Sequence, residues 1–184
     1  VSETIFGIQP DMITSAKGLS SGYIPLGALL FTDEIYDVIS ERGNGRSFGV
    51  GYTYSGHPVA CAAALKNIEI MEREAILDHV RQVGPYFMEQ LETLADLPMV
   101  GDVRGSHLMA CVEFVADKAT KELHPDDVDI GHRVSQKAQA LGLIVRPIGN
   151  LNVMSPSLVI NNDDVDELVG RLREAIVAVD ADLS

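Results

Sequence analysis

Apolar residues recur at intervals of three and four along three stretches of the chain and gather in short blocks between them. From Val59 to Leu94 they fall at Leu65, Ile68 and Met71, then at Val80, Val83, Phe87, Leu91 and Leu94. That spacing puts them on one face of a helix. Pro58 suits a first helical turn, where a missing N–H is no loss. Pro85, after Gly84, is expected to break or restart the helix. A second helix is predicted from Asp129 to Leu141, with Ile130, Val134 and Ala138 on one face and Gly142 as its C-terminal cap. A third begins at Asn161 or Asn162, with Asp163 and Asp164 in its first turn, where carboxylates complement the helix dipole. Its buried face is Val165, Leu168, Val169, Leu172 and Ile176. The blocks Ala28–Phe31, Leu108–Phe114, Leu143–Arg146 and Val153–Ile160 read as strands.

Helices alternating with strands give an α/β or α+β chain in two parts. Residues 1–64, rich in turns and glycine, read as the end of one domain. Residues 65–184 read as a linking helix and a smaller, more regular domain. No internal repeat and no low-complexity segment interrupts either.

Composition narrows the classes. The chain has 184 residues, 46% hydrophobic and 22% charged, enough to bury a core. With five Tyr, five Phe and no Trp, that core is built mainly from aliphatic side chains. A net charge of −13 argues against nucleic acid or an anionic membrane as partner, since long-range repulsion would oppose both. It leaves room for one bound phosphate, because local amides outweigh a distant charge. No apolar run reaches the roughly 18 residues that span a bilayer, and Val1–Pro10 lacks the pattern of a signal peptide. Cys61 and Cys111 have no metal-ligand spacing and sit in apolar surroundings, so small core residues are expected rather than a disulfide. These features point to the cytoplasm. The chain opens on Val in a stretch that reads as mid-domain, which raises the expectation of a piece of a longer protein.

Three segments could carry chemistry. PDMITSAKGLSSGYIPLGALL holds Lys17, which follows an apolar stretch and precedes Gly18 and two serines. Desolvated there, its amine would become nucleophilic toward carbonyls. SFGVGYTYSGHPVACAAAL, from Ser47 to Leu65, combines glycines at 49, 51 and 56 with the hydroxyls of Thr53 and Ser55, just before a helix start. Free N–H groups and the positive end of the dipole make that a possible phosphate cradle. Arg146 precedes Pro147, which biases it toward extended backbone, and its guanidinium could clamp a carboxylate. Taken singly, the commoner readings are a solvated lysine, a loop whose glycines serve only turns, and a surface arginine.

Four blocks in order change that weighing. PDMITSAKG with SGYIPLGA, then TYSGHPVACAAAL, VRGSHLMACVEF and RPIGNLNVMSPSLVI together resemble the class III aminotransferases, of the fold type I group that binds pyridoxal phosphate. The resemblance covers nearly the whole chain. It implies the end of a fold type I large domain followed by a smaller α+β C-terminal domain. Lys17 would hold the cofactor as a Schiff base and afterwards shuttle the proton between the substrate carbon and the cofactor's C4′. Thr53 would bind the cofactor phosphate from the neighbouring subunit, with Tyr52 beside it, which implies a homodimer with shared active sites. Arg146 would pair with a substrate or acceptor carboxylate. No metal is implied.

The run TYSGHP-x-ACA-x-AL-x-N-I-x-I-x-E looks most like the ω-aminotransferases. These move an amino group from a terminal amine or ω-amino acid to an α-keto acid such as pyruvate. Two alternatives accompany that reading. The chain is a truncated piece, inactive alone, or it serves another reaction of the family (aminomutase, decarboxylating transaminase, racemase). Departures from the family pattern lie at Ser106-His107, in place of x-Gly, at Asn150, where Asp is common, and at Ser157, where a second proline is common. His107 is expected to be a buried, hydrogen-bonded residue in preference to one that lines a cavity. The acidic partner of the pyridine nitrogen and the ring-stacking aromatic belong upstream of the lysine block, and Asp11 is neither.

Overall fold

The computed structural model describes residues 7–41, 45 and 48–183. Val1 and Ser47, which open the chain and the glycine-rich block, lie outside them. Two compact units are present, Val1–Glu74 and Ala75–Ser184. Both sheets are antiparallel throughout. No helix among the described residues is long and apolar enough to cross a membrane.

In the first unit, strands β1 (Met12–Ala16) and β2 (Gly27–Phe31) pair from Met12↔Phe31 to Ala16↔Gly27. Helix α1 (Asp33–Ser40) and helix α2 (Pro58–Arg73) follow. Little of this unit is covered. Among the described residues Ala60 and Ala64 are its buried apolar ones, while Met12, Ile13, Leu29 and Leu30 are exposed, so both faces of the hairpin are open. The predicted buried face of α2 is therefore corrected: Leu65 is 68% exposed and Ile68 39%. The small residues Ala60 and Ala64 do the packing instead, on the face of α2 that meets the 3-10 turn Lys17–Ser20.

The second unit has a core of its own. Helix α3 (Ile76–Glu92) precedes strands β3 (Val100–Ser106) and β4 (Met109–Phe114). Helix α4 (Ile130–Ala140), strands β5 (Arg146–Ile148) and β6 (Leu151–Met154), and helix α5 (Asn162–Leu183) complete it. The sheet runs β3-β4-β6-β5. Alternation along β4 buries Ala110, Val112 and Phe114, while Cys111 and Glu113 lie half-buried on the other face. Val83, Phe87 and Leu91 of α3, Ile130, Val134 and Ala138 of α4, and Val165, Leu172 and Ile176 of α5 close the core as their periodicity predicted.

Pro85 does not break a helix; it lies inside α3. Its ring leaves the Arg81 carbonyl without an N–H partner, but Pro85 and Arg81 are both exposed, so water can serve that carbonyl. The break comes earlier, at Ala75, which takes a left-handed φ of 49° and whose carbonyl accepts the N–H groups of Asp78 and His79. Strand β5 begins three residues later than the predicted Leu143 because neighbouring backbone groups are already engaged. The Leu143 N–H donates to Ala138 across the left-handed Gly142, closing α4, and the Val145 carbonyl accepts from Ser135 Oγ at 3.2 Å. Strand β6 covers Leu151–Met154 rather than Val153–Ile160; Pro156, which lacks a ladder donor, follows its end. Asn161 caps α5, its Oδ1 accepting the Asp164 N–H at 3.0 Å while Asp164 Oδ2 accepts the Asn161 N–H. Cys61 and Cys111 are free and half-buried, so neither is the fully buried core residue expected.

Candidate functional site

Lys17 leaves β1 on a left-handed φ of 54° and opens the turn Lys17–Ser20. For a side chain with a Cβ that conformation costs about 1–2 kcal/mol, so other contacts must hold it. Locally, the Ser21 N–H bonds the Gly18 carbonyl at 3.2 Å and the Tyr23 N–H bonds that of Ser20 at 3.1 Å. Ser20, buried, donates its hydroxyl to the Ile24 carbonyl at 2.6 Å. From α2, Asn67 Nδ2 donates to the carbonyls of Gly18 at 2.9 Å and Leu19 at 3.1 Å. Lys17 itself is exposed, so the described residues of this unit do not supply the desolvation its apolar flanks led one to expect.

Tyr52 and Thr53 lie in the exposed turn ahead of α2. The Ser55 N–H donates to the Tyr52 carbonyl at 2.9 Å, and Ser55 Oγ accepts the Tyr52 N–H at 2.9 Å, so the turn is closed from both sides. His57 then caps α2, its Nδ1 accepting the Ala60 N–H at 3.4 Å, and its ring meets that of Tyr54 edge-on. Pro58 brings no N–H. The Val59 N–H and the Thr53 hydroxyl have no partner among the described residues; the first sits at the positive end of a helix of 16 residues, and the second lies five residues ahead of its start.

Arg146 opens β5 and is exposed, without a hydrogen bond or ion pair among the described residues. It lines an open groove of about 350 Å³ together with Ile144, Val153, Ser155, Pro156 and Leu168. Strand register puts Arg146, Val153, Cys111 and Arg104 in one row across the sheet. The two arginines differ electrically. Arg104 bonds Asp102 at 2.8 Å and Glu113 at 2.6 Å, and these carboxylates hold its guanidinium above the usual arginine range. Arg146 alone of the pair is available to an external carboxylate.

Lys17, Tyr52 and Thr53 thus belong to the first unit, where α2 packs on the lysine turn and follows the threonine turn. Arg146 belongs to the second. Sequence reasoning missed Asn67 and the Arg104 ion pairs. For Asn67 the available signal was its place three residues after Ala64, on the small-residue face of the helix. His107 is half-buried at the β3–β4 turn with φ 52°, its Nδ1 is 2.8 Å from Ser106 Oγ, and a Cβ on Gly84 would come within 2.8 Å of its Cα. It serves the packing of α3 on the hairpin. Among the described residues no group of His, Cys, Asp and Glu could hold a metal ion.

The profile of the family described as Aminotransferase class-III matches residues 2–176. A mitochondrial γ-aminobutyrate transaminase 1 of Oryza sativa subsp. indica is 39% identical over 177 residues, covering 96% of this chain and 34% of the relative. An uncharacterised aminotransferase of Sinorhizobium fredii is 44% identical over 179 residues, covering 95% of this chain and 38% of the relative. Among solved structures, a thermostable (S)-enantioselective ω-transaminase of Thermomicrobium roseum superposes with a TM-score of 0.90 at 40% identity. That match covers 96% of this chain and 39% of the other. The chain therefore spans little more than a third of the length of these relatives.

Proposed function

The chain belongs to the class III aminotransferases, a pyridoxal-phosphate-dependent family, and from that premise we propose that it supplies part of an ω-aminotransferase. That enzyme would move an amino group from a terminal amine or ω-amino acid to an α-keto acid such as pyruvate. The observation that carries the reading is Lys17, an exposed amine on a left-handed residue whose turn is braced by Ser20 and Asn67. A left-handed lysine held by its surroundings is the kind of outlier from which a functional role is inferred.

The donor set fits the cofactor. An amine suits an aldehyde, and the Thr53 hydroxyl with the Val59 N–H at a helix start suits a phosphate. When bound, the pyridine ring supplies the sink for the electron pair left on the donor carbon. Lys17 Nζ would hold the cofactor covalently and, once displaced by the donor, would carry the proton to and from that carbon. Thr53 would donate its hydroxyl to a phosphate oxygen of the neighbouring subunit's site, with Tyr52 beside it, in a homodimer with shared active sites. Arg146 would pair with the carboxylate of donor or acceptor and so fix which end of the molecule points at Lys17.

A second reading also has an observation behind it. The hairpin β1–β2 is exposed on both faces, and Tyr52 is 81% exposed, so the isolated chain would hold the cofactor weakly or not at all.

One experiment addresses both. The chain is incubated with pyridoxal phosphate, reduced with borohydride and peptide-mapped. A pyridoxyl group on Lys17, absent from Lys17→Ala, supports the cofactor-lysine role; a group on another lysine with Lys17 unmodified overturns it. Amino transfer from an ω-amino acid to pyruvate is then assayed on the same sample.

A further inference from the structure

Three features make the lysine turn depend on one distant side chain. The first is its backbone. Lys17, Ser21 and Gly22 all have positive φ, at 54°, 52° and 76°, so two residues with a Cβ sit in a region that L side chains rarely adopt. The second is the reach of its other bonds. Ser21 to Gly18, Tyr23 to Ser20 and Ser20 to Ile24 each span three or four residues and move with the turn. The third is Asn67, which lies 49 residues from Gly18 in sequence and is anchored on α2. Among the described residues it is the side chain from outside the segment that bonds this turn.

We propose that Asn67 is a positioning residue for Lys17. The inference rests on Lys17 being the cofactor lysine. A primary amide carries two N–H groups, and Asn67 directs its nitrogen at two consecutive carbonyls, those of Gly18 and Leu19. It thereby fixes the peptide planes that follow Gly18 and Leu19, the next two beyond the Lys17–Gly18 peptide, and so limits how far the backbone at Lys17 can turn and redirect Nζ. Ala64 and Ala60, one and two turns earlier on the same face, let the turn lie close enough for a short amide to reach. The amide is also neutral. A lysine here could donate to the same carbonyls, but it would bring a second positive charge to the lysine turn. Aspartate has nearly the same shape but would aim acceptors at acceptors. Helix α2 also carries the His57 cap and follows the Thr53 turn, so one rigid element orders both segments to which cofactor roles are ascribed.

The test compares the wild-type chain with Asn67→Leu and Asn67→Gln, by yield of the borohydride-trapped pyridoxyl group on Lys17 across pH. Thermal melting checks that the second unit survives, and amide exchange along α2 checks the first. Asn67→Leu keeps the size and the helix but has no donor; Asn67→Gln keeps the donor on a longer arm. The expected result is a yield lowered about tenfold in Asn67→Leu, with an altered pH profile and an unchanged melt, and partial recovery in Asn67→Gln. Identical yields and pH profiles in wild type and Asn67→Leu would overturn the positioning role while leaving Lys17 as the cofactor lysine. Trapping of the group on another lysine of the wild type, with Lys17 unmodified, would overturn the cofactor-lysine reading and the proposal with it.

Discussion

Gly131→Ala sets two sizeable effects against each other. Gly131 is the second residue of α4, and in a helix interior alanine is favoured over glycine by about 1 kcal/mol. Packing opposes that gain. A Cβ on Gly131 would lie 2.3 Å from the Gly149 carbonyl oxygen and 2.9 Å from that of Leu151, and neither backbone atom can rotate away as a side chain would. Relieving the overlap means moving the β5–β6 hairpin off α4, which costs about 1–3 kcal/mol. The shift also strips a partner from Asn152. This wholly buried side chain donates from Nδ2 to the Gly131 carbonyl at 2.7 Å, while its Oδ1 already lacks a protein partner. Weakening that bond in a buried site adds about 1–3 kcal/mol. The net expectation is a loss of about 3 kcal/mol.

Urea unfolding followed by far-ultraviolet circular dichroism reads this directly, since the second unit holds the core that unfolds cooperatively. With a slope of about 2 kcal/mol per molar, the midpoint should fall by about 1.5 M. Gly170→Ala in α5 is the matched control. Nothing lies within 4 Å of a Cβ there, so helix propensity acts unopposed and the midpoint should rise by roughly 0.5 M. If Gly131→Ala behaved like Gly170→Ala, the close approach of α4 to the hairpin that carries Arg146 would be refuted.

Two further outcomes follow from charge. Burial pushes the Cys111 thiol up, and Arg104, facing it across β3 and β4, partly offsets this. Its alkylation by iodoacetamide should therefore have a midpoint above that of a free thiol, and Arg104→Met should move it higher still; a midpoint that falls on removing Arg104 would contradict the assignment. The main-chain N–H and hydroxyl of Thr120, and then the N–H of Ala119, hold the Asp117 carboxyl below the usual aspartate range. Because the folded value is depressed, the bonds are present above the unfolded value and are lost as pH falls through the folded one. Exchange of the Ala119 and Thr120 amides, corrected for intrinsic rates, should accelerate only below about pH 4, and faster exchange already at neutral pH would exclude these bonds.

Where one face of an element meets one core, the sequence was readable. The 3.6-residue period of Val165, Leu172 and Ile176 placed α5, and Gly142 marked the end of α4. The errors arose where backbone groups had two possible partners. Ala75 ends α2 in a left-handed conformation with no glycine or asparagine to announce it. Pro85 looked like a break because sequence does not say that the carbonyl it strands will face water. Leu143 and Val145 looked like strand, yet one caps α4 and the other accepts from Ser135. Among candidate site residues, the roles proposed for Lys17, Thr53 and Arg146 rest on the ordered motif blocks that contain them. Asn67 also stands in the quoted run after TYSGHP, but its bonds to Gly18 and Leu19 exist only once α2 lies against the lysine turn. Two arginines in one row were equally invisible as a contrast until Asp102 and Glu113 were seen to neutralise one of them.

The division of the chain governs how loss of function in it should be interpreted. The second unit encloses Phe87, Phe114, Leu172 and Ile176 completely, and so owes its stability to its own residues. Among its described residues the first unit buries two alanines and a serine, and these are held by the β1–β2 ladder and the bonds of the lysine turn. Isolated hairpins are marginally stable at best in water. Lys17, Tyr52 and Thr53 therefore stand on the weakly held unit and Arg146 on the strongly held one. On the proposed reading, a substitution that lowered trapping of pyridoxal phosphate on Lys17 would have two routes to that result: removing a group that would touch the cofactor, or loosening a turn that few contacts secure. Global melting follows the second unit and registers neither route. Exchange protection of Gly18–Tyr23 separates them, because Lys17→Ala should leave it intact while Asn67→Leu should lower it.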